Sequence, residues 1–204
     1  MSGPPDWVST QLARRGIRDE RVLDAMQRVP RELFVPEHER RHAYDDAALG
    51  LSHGQTISQP FIVALICQAL SLDGGERVLD VGTGSGYQAA VLAELASEVV
   101  SIERIPELSA QARVNLSAAG YGERVELHVG DGWLGLPDRS PFDGIAVAAA
   151  APEPPPALLD QLADDGRLVL PLGEDAQWLV LVDRSGGTTR VRALSPVRFV
   201  PLVR

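Results

Sequence analysis

The run Val78-Leu79-Asp80-Val81-Gly82-Thr83-Gly84-Ser85-Gly86-Tyr87 sets an apolar stretch, an acid and alternate glycines in one register. Glycines where a strand meets a helix let the backbone turn tightly and approach a ligand with no Cβ in the way. The pattern is G-x-G-x-G. A dinucleotide fingerprint, G-x-G-x-x-G, asks for glycine where this chain has Tyr87. An acid two residues before the first glycine, here Asp80, is typical of S-adenosylmethionine binders and can face the ligand's ammonium group. Glu103 lies 21 residues after Gly82, where a carboxylate can accept from both hydroxyls of a ribose. A tight turn without a ligand and a nicotinamide site are the two other readings of the same residues.

Asp131-Gly132 follows a later apolar run. There an acid can accept from an adenine amino group, and Asp-Gly is also a common turn. His38-Glu39-Arg40-Arg41-His42 spells H-E-x-x-H, a zinc-hydrolase pattern when two histidines four apart share a packed helix face. This stretch is polar all round, carries two arginines and offers no third ligand, so a solvated face and no metal are expected. In Gly54-Gln55-Thr56-Ile57-Ser58-Gln59-Pro60 a polar loop enters an apolar run. Taken alone, Ser58 reads as a helix cap. Cys67, inside that apolar run, reads as core filling.

These residues need elements to hold them. The spacing of Trp7, Leu12, Ile17, Val22, Leu23 and Met26 predicts two short helices broken near Gly16 and ended at Val29-Pro30. Another short helix fits Arg31 to Tyr44. Leu49 to Pro60 reads as loop with a stop at Pro60, and Phe61 to Leu70 as an apolar helix closing at Asp73-Gly74-Gly75. From there a strand–helix rhythm sets in. Strands are expected at Arg77–Val81, Val99–Glu103, Val125–Val129, Phe142–Ala149, Arg167–Pro171, Trp178–Asp183 and Val191–Leu202. Helices are expected at Tyr87–Ala96, Pro106–Ala119 and Pro156–Ala163. Near-continuous apolar strands alternating with helices imply a parallel sheet covered on both faces. The last strands, joined at Ser185-Gly186-Gly187, read as an antiparallel pair. The expected fold is α/β, a doubly wound, mostly parallel sheet with a helical N-terminal extension. One domain is expected over 1–204, with 1–73 as extension and loop and 74–204 as the α/β core.

Composition narrows the function classes. The chain has 204 residues, 45% hydrophobic and 23% charged, the profile of a globular domain. Its net charge of −9, with all 19 basic residues arginine, argues against nucleic-acid or anionic-membrane binding, which need positive surface. No apolar run is long enough for a bilayer. Met1 to Trp7 shows no secretion signal. The single cysteine excludes an internal disulfide, and a cytoplasmic location is expected.

The assembled sequence resembles the protein-L-isoaspartate O-methyltransferase family along nearly its whole length. The resemblance is carried by Val22-Leu23-Asp24-Ala25-Met26, Val29 to Pro36, Ala43-Tyr44-Asp45-Asp46 through Leu49, and the signature loop Gly54 to Pro60. It continues in the glycine loop, Ser101-Ile102-Glu103-Arg104, Gly130-Asp131-Gly132-Trp133 and the terminal Val197-Arg198-Phe199-Val200-Pro201-Leu202. It implies a Rossmann-like class I methyltransferase, probing damaged proteins and peptides as a monomer. The expected reaction moves a methyl group from S-adenosyl-L-methionine to the α-carboxyl of an L-isoaspartyl residue, leaving S-adenosyl-L-homocysteine. It also implies Ser58 as the active-site hydroxyl. Thr56, Ile57, Asp80, Gly82, Thr83, Gly84, Glu103, Asp131 and Gly132 are then expected at the methyl donor. Gln55, Val197, Arg198, Phe199 and Val200 are expected along the substrate peptide. The rival readings are methylation of an ordinary aspartate in one dedicated peptide, a non-catalytic adaptor for isoaspartyl chains, and a zinc hydrolase on His38 and His42.

Overall fold

The computed structural model describes residues 7–203. Most of the stretch examined for a secretion signal, Met1–Trp7, lies outside the described residues. A short π-helical turn, Val8–Leu12, and a 3₁₀ turn, Ala13–Arg15, end at Gly16, whose φ of 105° turns the chain. Helix α1 (Glu20–Arg28) starts under a cap in which Asp19 accepts from the Arg21 and Val22 amides. It stops at Val29, held extended before Pro30 as expected. The Arg31 to Tyr44 stretch forms two 3₁₀ segments, Arg31–Leu33 and Glu37–His42, rather than one helix.

The Leu49 to Pro60 region is more ordered than a loop. Strands β1 (Leu49–Gly50) and β2 (Thr56–Ile57) pair antiparallel. Pro60 does not stop anything. It opens helix α2 (Pro60–Leu70) at the first position, where its missing N–H costs no helical bond. Then follow β3 (Arg77–Val81), α3 (Tyr87–Leu95), β4 (Glu98–Glu103), α4 (Pro106–Ala118), β5 (Val125–Val129) and β6 (Phe142–Val147). Helix α5 (Pro156–Asp160) is shorter than expected, because β7 (Leu162–Leu172) begins almost at once. Strands β8 (Gln177–Ser185) and β9 (Thr188–Val197) complete the chain's regular elements. The expected last strand therefore ends at Val197, and residues 198–203 run on without a regular ladder.

The main sheet has the order β5-β4-β3-β6-β7-β8-β9. Strands β3 to β7 pair parallel, and β8 and β9 join antiparallel. The chain winds one way from β3 through β4 to β5 and the other way from β6, so the order reverses beside β3. Ligands of open α/β sheets bind at the carboxyl edge at such a reversal. Side-chain alternation divides the apolar residues into two layers. Val78, Val99 and Ala146 face a layer built with α1, α2 and α3. Leu79, Val81, Ile145 and Val147 face the other, with Leu158 of α5. Tyr87, the residue that breaks the dinucleotide fingerprint, has its own use. Its buried ring meets Phe34 edge-on at 5.6 Å and joins the N-terminal layer to the first turn of α3.

Candidate active site

The glycine loop between β3 and α3 supplies the floor of a cleft. Gly82, Gly84 and Gly86 have φ of 92°, 54° and 89°, a region that L side chains rarely adopt. Gly132 is required for a different reason, since a Cβ there would stand 2.7 Å from Val81 Cγ1. The cleft is lined by Gly82, Gly84, Glu103 and Gly132 from the sheet edge. Gln55 and Thr56 line it from the signature hairpin, and Val200 to Val203 from the terminal segment.

Glu103 sits in this wall, largely buried. Its Oε2 accepts from the Gly84 amide at 2.9 Å and its Oε1 from the Ile105 amide at 3.0 Å. Each carboxylate oxygen has room for a further donor. Glu103 thus holds the glycine loop's shape while presenting acceptors to the cleft.

Asp80 does not meet the cleft as expected. Strand alternation points it into the α2–α3 layer, where it is fully buried. Its Oδ1 accepts from Gln88 Nε2 at 2.8 Å and its Oδ2 from Ser101 Oγ at 2.7 Å. The Thr83 and Ser101 hydroxyls are 2.6 Å apart, so Thr83 extends the chain of hydrogen bonds. Burial pushes the Asp80 carboxyl up, against the two hydrogen bonds. Asp80 and Thr83 act from beneath the glycine loop. Asp131 takes the turn role, its Oδ1 accepting from the Trp133 amide at 2.9 Å.

Thr56 lines this cleft and two adjoining cavities. One runs under the glycine loop and is lined by Ile57, Ser58, Thr83 and Gln88. The other is a groove between Ser58, Gln59 and the segment Pro196 to Phe199. Ser58 lines both of these, so it stands between the glycine loop and the groove. The capping reading of Ser58 fails: the residue before α2 is Gln59, whose side chain makes no cap, and the Phe61 amide in the first turn donates to Asp46 Oδ1 at 3.3 Å. The carbonyl of Ser58 instead accepts from Arg31 Nη2 at 2.8 Å.

The terminal segment is held from two sides. Gln177 grips Phe199 with both ends of its amide: Oε1 accepts from the Phe199 N–H at 2.6 Å and Nε2 donates to its carbonyl at 3.2 Å. Ala150 donates to the Val200 carbonyl and accepts from the Leu202 amide. Trp133 Nε1 donates to the Leu202 carbonyl at 2.9 Å. Phe199 and the Val200 carbonyl are therefore engaged, while Val197 and Arg198 line the groove. Sequence reading gave no role to Gln177, Ala150 or Arg31: the first two sit in no motif, and Arg31 lies in the Val29 to Pro36 stretch that carries the resemblance but was assigned nothing there.

His38 and His42 lie in a 3₁₀ segment. With about three residues per turn, positions four apart point to different faces. His42 Nδ1 is 2.8 Å from Asp45, and its Nε2 accepts from Arg41 Nε. Among the described residues, no group of three or more His, Cys, Asp or Glu is placed to hold a metal ion. No described helix is long and apolar enough to cross a membrane.

Comparison with known proteins agrees with this geometry. A protein from Marinobacter nauticus named protein-L-isoaspartate O-methyltransferase 2 is 57% identical over 199 residues, covering 96% of this chain and 90% of that one. A protein-L-isoaspartate O-methyltransferase from Opitutus terrae is 53% identical, covering 97% and 85%. Among solved structures, a Plasmodium falciparum protein described as a protein-L-isoaspartate O-methyltransferase, in complex with S-adenosyl-L-homocysteine, superposes with a TM-score of 0.85. That match has 29% identity and covers 97% of both chains. The sequence pattern of the Protein-L-isoaspartate(D-aspartate) O-methyltransferase (PCMT) family matches residues 6–204, and the chain belongs to that family.

Proposed function

We propose that this chain methylates the α-carboxyl of L-isoaspartyl residues in damaged proteins and peptides, with S-adenosyl-L-methionine as donor, and so starts their repair through a succinimide. The observation that carries the reading is the position of Ser58, between the glycine loop and the groove along residues 196–199. The cleft suits the donor: glycines without Cβ floor it, and Glu103 offers acceptors for ribose hydroxyls. When bound, S-adenosyl-L-methionine supplies a sulfonium methyl that passes to a carboxylate oxygen while the C–S bond breaks, leaving S-adenosyl-L-homocysteine.

The chain's own residues have little proton chemistry to do. An α-carboxyl has a pKa of about 3.5, so it is ionised at neutral pH and needs no general base. The work is alignment, which can supply roughly 7–11 kcal/mol of barrier reduction. Ser58 supplies a hydroxyl beside the reacting oxygen. Gln55 and Thr56 cover the cleft. Val197 and Arg198 flank the peptide. All of these come from one chain, so the reading requires no second copy.

Methyl transfer to matched peptides carrying isoaspartate, aspartate or asparagine at one position tests the reading. In isoaspartate the free carboxyl sits on Cα, whereas in aspartate it is one methylene further from the main chain. A site that fixes the backbone can align only one of them. The isoaspartyl peptide is expected to react about a hundredfold more efficiently, a difference of about 2.7 kcal/mol in transition-state stabilisation. Equal rates on both twins, or activity confined to one aspartyl sequence, would favour the dedicated-peptide reading. Binding without transfer would favour the adaptor.

A further inference from the structure

Arg31 is the largest fully buried side chain that carries a charge. Its Nε donates to the Ala43 carbonyl at 2.7 Å and its Nη2 to the Ser58 carbonyl at 2.8 Å. Its guanidinium lies over the Tyr87 ring, 4.6 Å from the centroid. Nη1 is buried without a hydrogen-bond partner, and no carboxylate among the described residues forms an ion pair with the group. A buried charge is costly unless it is paired. An arginine keeps its proton, so the cation cannot escape by neutralising.

Its grip on Ser58 has a geometric consequence. The Ser58–Gln59 peptide is trans, since Ser140-Pro141 is the cis bond of the described chain. In a trans peptide the C=O and the following N–H point in opposite directions. Turning the Ser58 carbonyl onto Arg31 therefore turns the Gln59 N–H away from it. That N–H makes no hydrogen bond to another described residue, and Gln59 lines the same groove as Ser58.

We infer that Arg31 is a positioning residue for substrate anion recognition: it locks the Ser58–Gln59 peptide so that the Gln59 N–H meets the substrate's free carboxylate, and its unpaired buried charge favours that anion. The inference rests on the methyl-acceptor reading above. The carboxylate loses its charge as it is methylated, so a nearby cation favours the bound acceptor over the transition state. Arg31 should therefore act on acceptor binding more than on the chemical step.

The test is calorimetric binding of two peptides to the enzyme loaded with S-adenosyl-L-homocysteine, which allows no turnover. One peptide carries isoaspartate and its twin carries isoasparagine, the same shape with a neutral amide. The wild type is expected to favour the carboxylate by about tenfold or more, the scale of one charge-assisted hydrogen bond. Arg31→Met should reduce that preference to less than about threefold, and raise the peptide KM more than it lowers kcat. Arg31→Lys keeps the charge and should retain much of the preference. Gln59→Pro deletes the main-chain N–H at a residue whose φ of −58° suits proline, and should abolish the preference, whereas Gln59→Ala, which loses only the side-chain amide in the groove, should keep it. It decides the matter if Arg31→Met does not fold. Equal weakening of both peptides in Arg31→Met, an undiminished preference in Gln59→Pro, or no preference in the wild type would each overturn the inference. Absence of isoaspartyl methylation by the wild type would instead overturn the activity reading, which the binding comparison does not measure.

Discussion

Ser58 separates two physical roles that one sequence cannot distinguish. A serine just before an apolar helix is an ordinary cap, and an Ala replacement then costs about 1 kcal/mol of stability. In the structure the side-chain acceptor at the start of α2 is Asp46, not Ser58, and Ser58 lines the two cavities beside the signature loop. Ser58→Ala is therefore expected to melt like the wild type, to bind the donor normally, and to lose turnover by about tenfold or more, the scale of a hydrogen bond made chiefly in the transition state. Thermal melts beside steady-state rates check this, and a lower melting point with normal turnover would return Ser58 to capping. The glycine turn and the place of Glu103 at the sheet edge were legible because their residue types are unusual where they stand, whereas Ser58 read as a cap and its other role came only from the family resemblance. Asp80 was legible as important but not in its orientation, which strand alternation decides once β3 is placed. Arg31 was legible only as one residue of the Val29 to Pro36 stretch, not as a buried charge. It is one of 19 basic residues in an Arg-rich chain, and nothing local marks the one that the fold buries.

Among the elements, the strand–helix rhythm from β3 to β6 could be read closely, because buried parallel strands are apolar runs and their helices begin at Pro or after Gly. The signature hairpin and the terminal segment were harder. Two-residue strands carry no periodicity, and the segment after Val197 is extended without a ladder, held by side chains distant in sequence. Gln177 is the clearest case, an amide that takes the place of a neighbouring strand for Phe199. Gln177→Ala removes the two neutral hydrogen bonds to Phe199, worth about 1–3 kcal/mol together, and a third to the Glu174 carbonyl that holds no part of the segment. The peptide KM is expected to rise by roughly five- to a hundredfold. Donor affinity should change little, because residues 200–202 keep their bonds to Ala150 and Trp133. Peptide kinetics and donor titration on this variant separate the two ends of the segment. An unchanged KM would show that the groove does not depend on the grip at Phe199.

For the whole molecule, the question is whether the helical extension is a separate body or part of one cooperative unit. Its apolar residues Trp7, Leu12, Ile17 and Met26 share a continuous buried layer with Val78, Val99 and Ala146 of the sheet. Polar contacts follow the same seam. Arg21 donates to the Leu72 and Leu95 carbonyls, and Glu94 of α3 takes both Arg28 and Arg124. Neither layer can lose the other without exposing that surface, so the chain is expected to unfold in a single transition with equal calorimetric and van't Hoff enthalpies. The donor cleft adds a second link, because Gln55 and Thr56 reach it from the extension while Gly82 and Glu103 reach it from the core. A ligand at about 100 times its Kd adds about 2.7 kcal/mol, which for a chain of this size raises Tm by roughly 5–11 °C. Hydrogen exchange resolved by segment along a urea titration should then show α1 and α3 opening at one midpoint, with S-adenosyl-L-homocysteine moving both together. If α1 opens first, or if the ligand protects α3 alone, the extension is an independent body. The cleft would then be assembled from two units rather than carried by one.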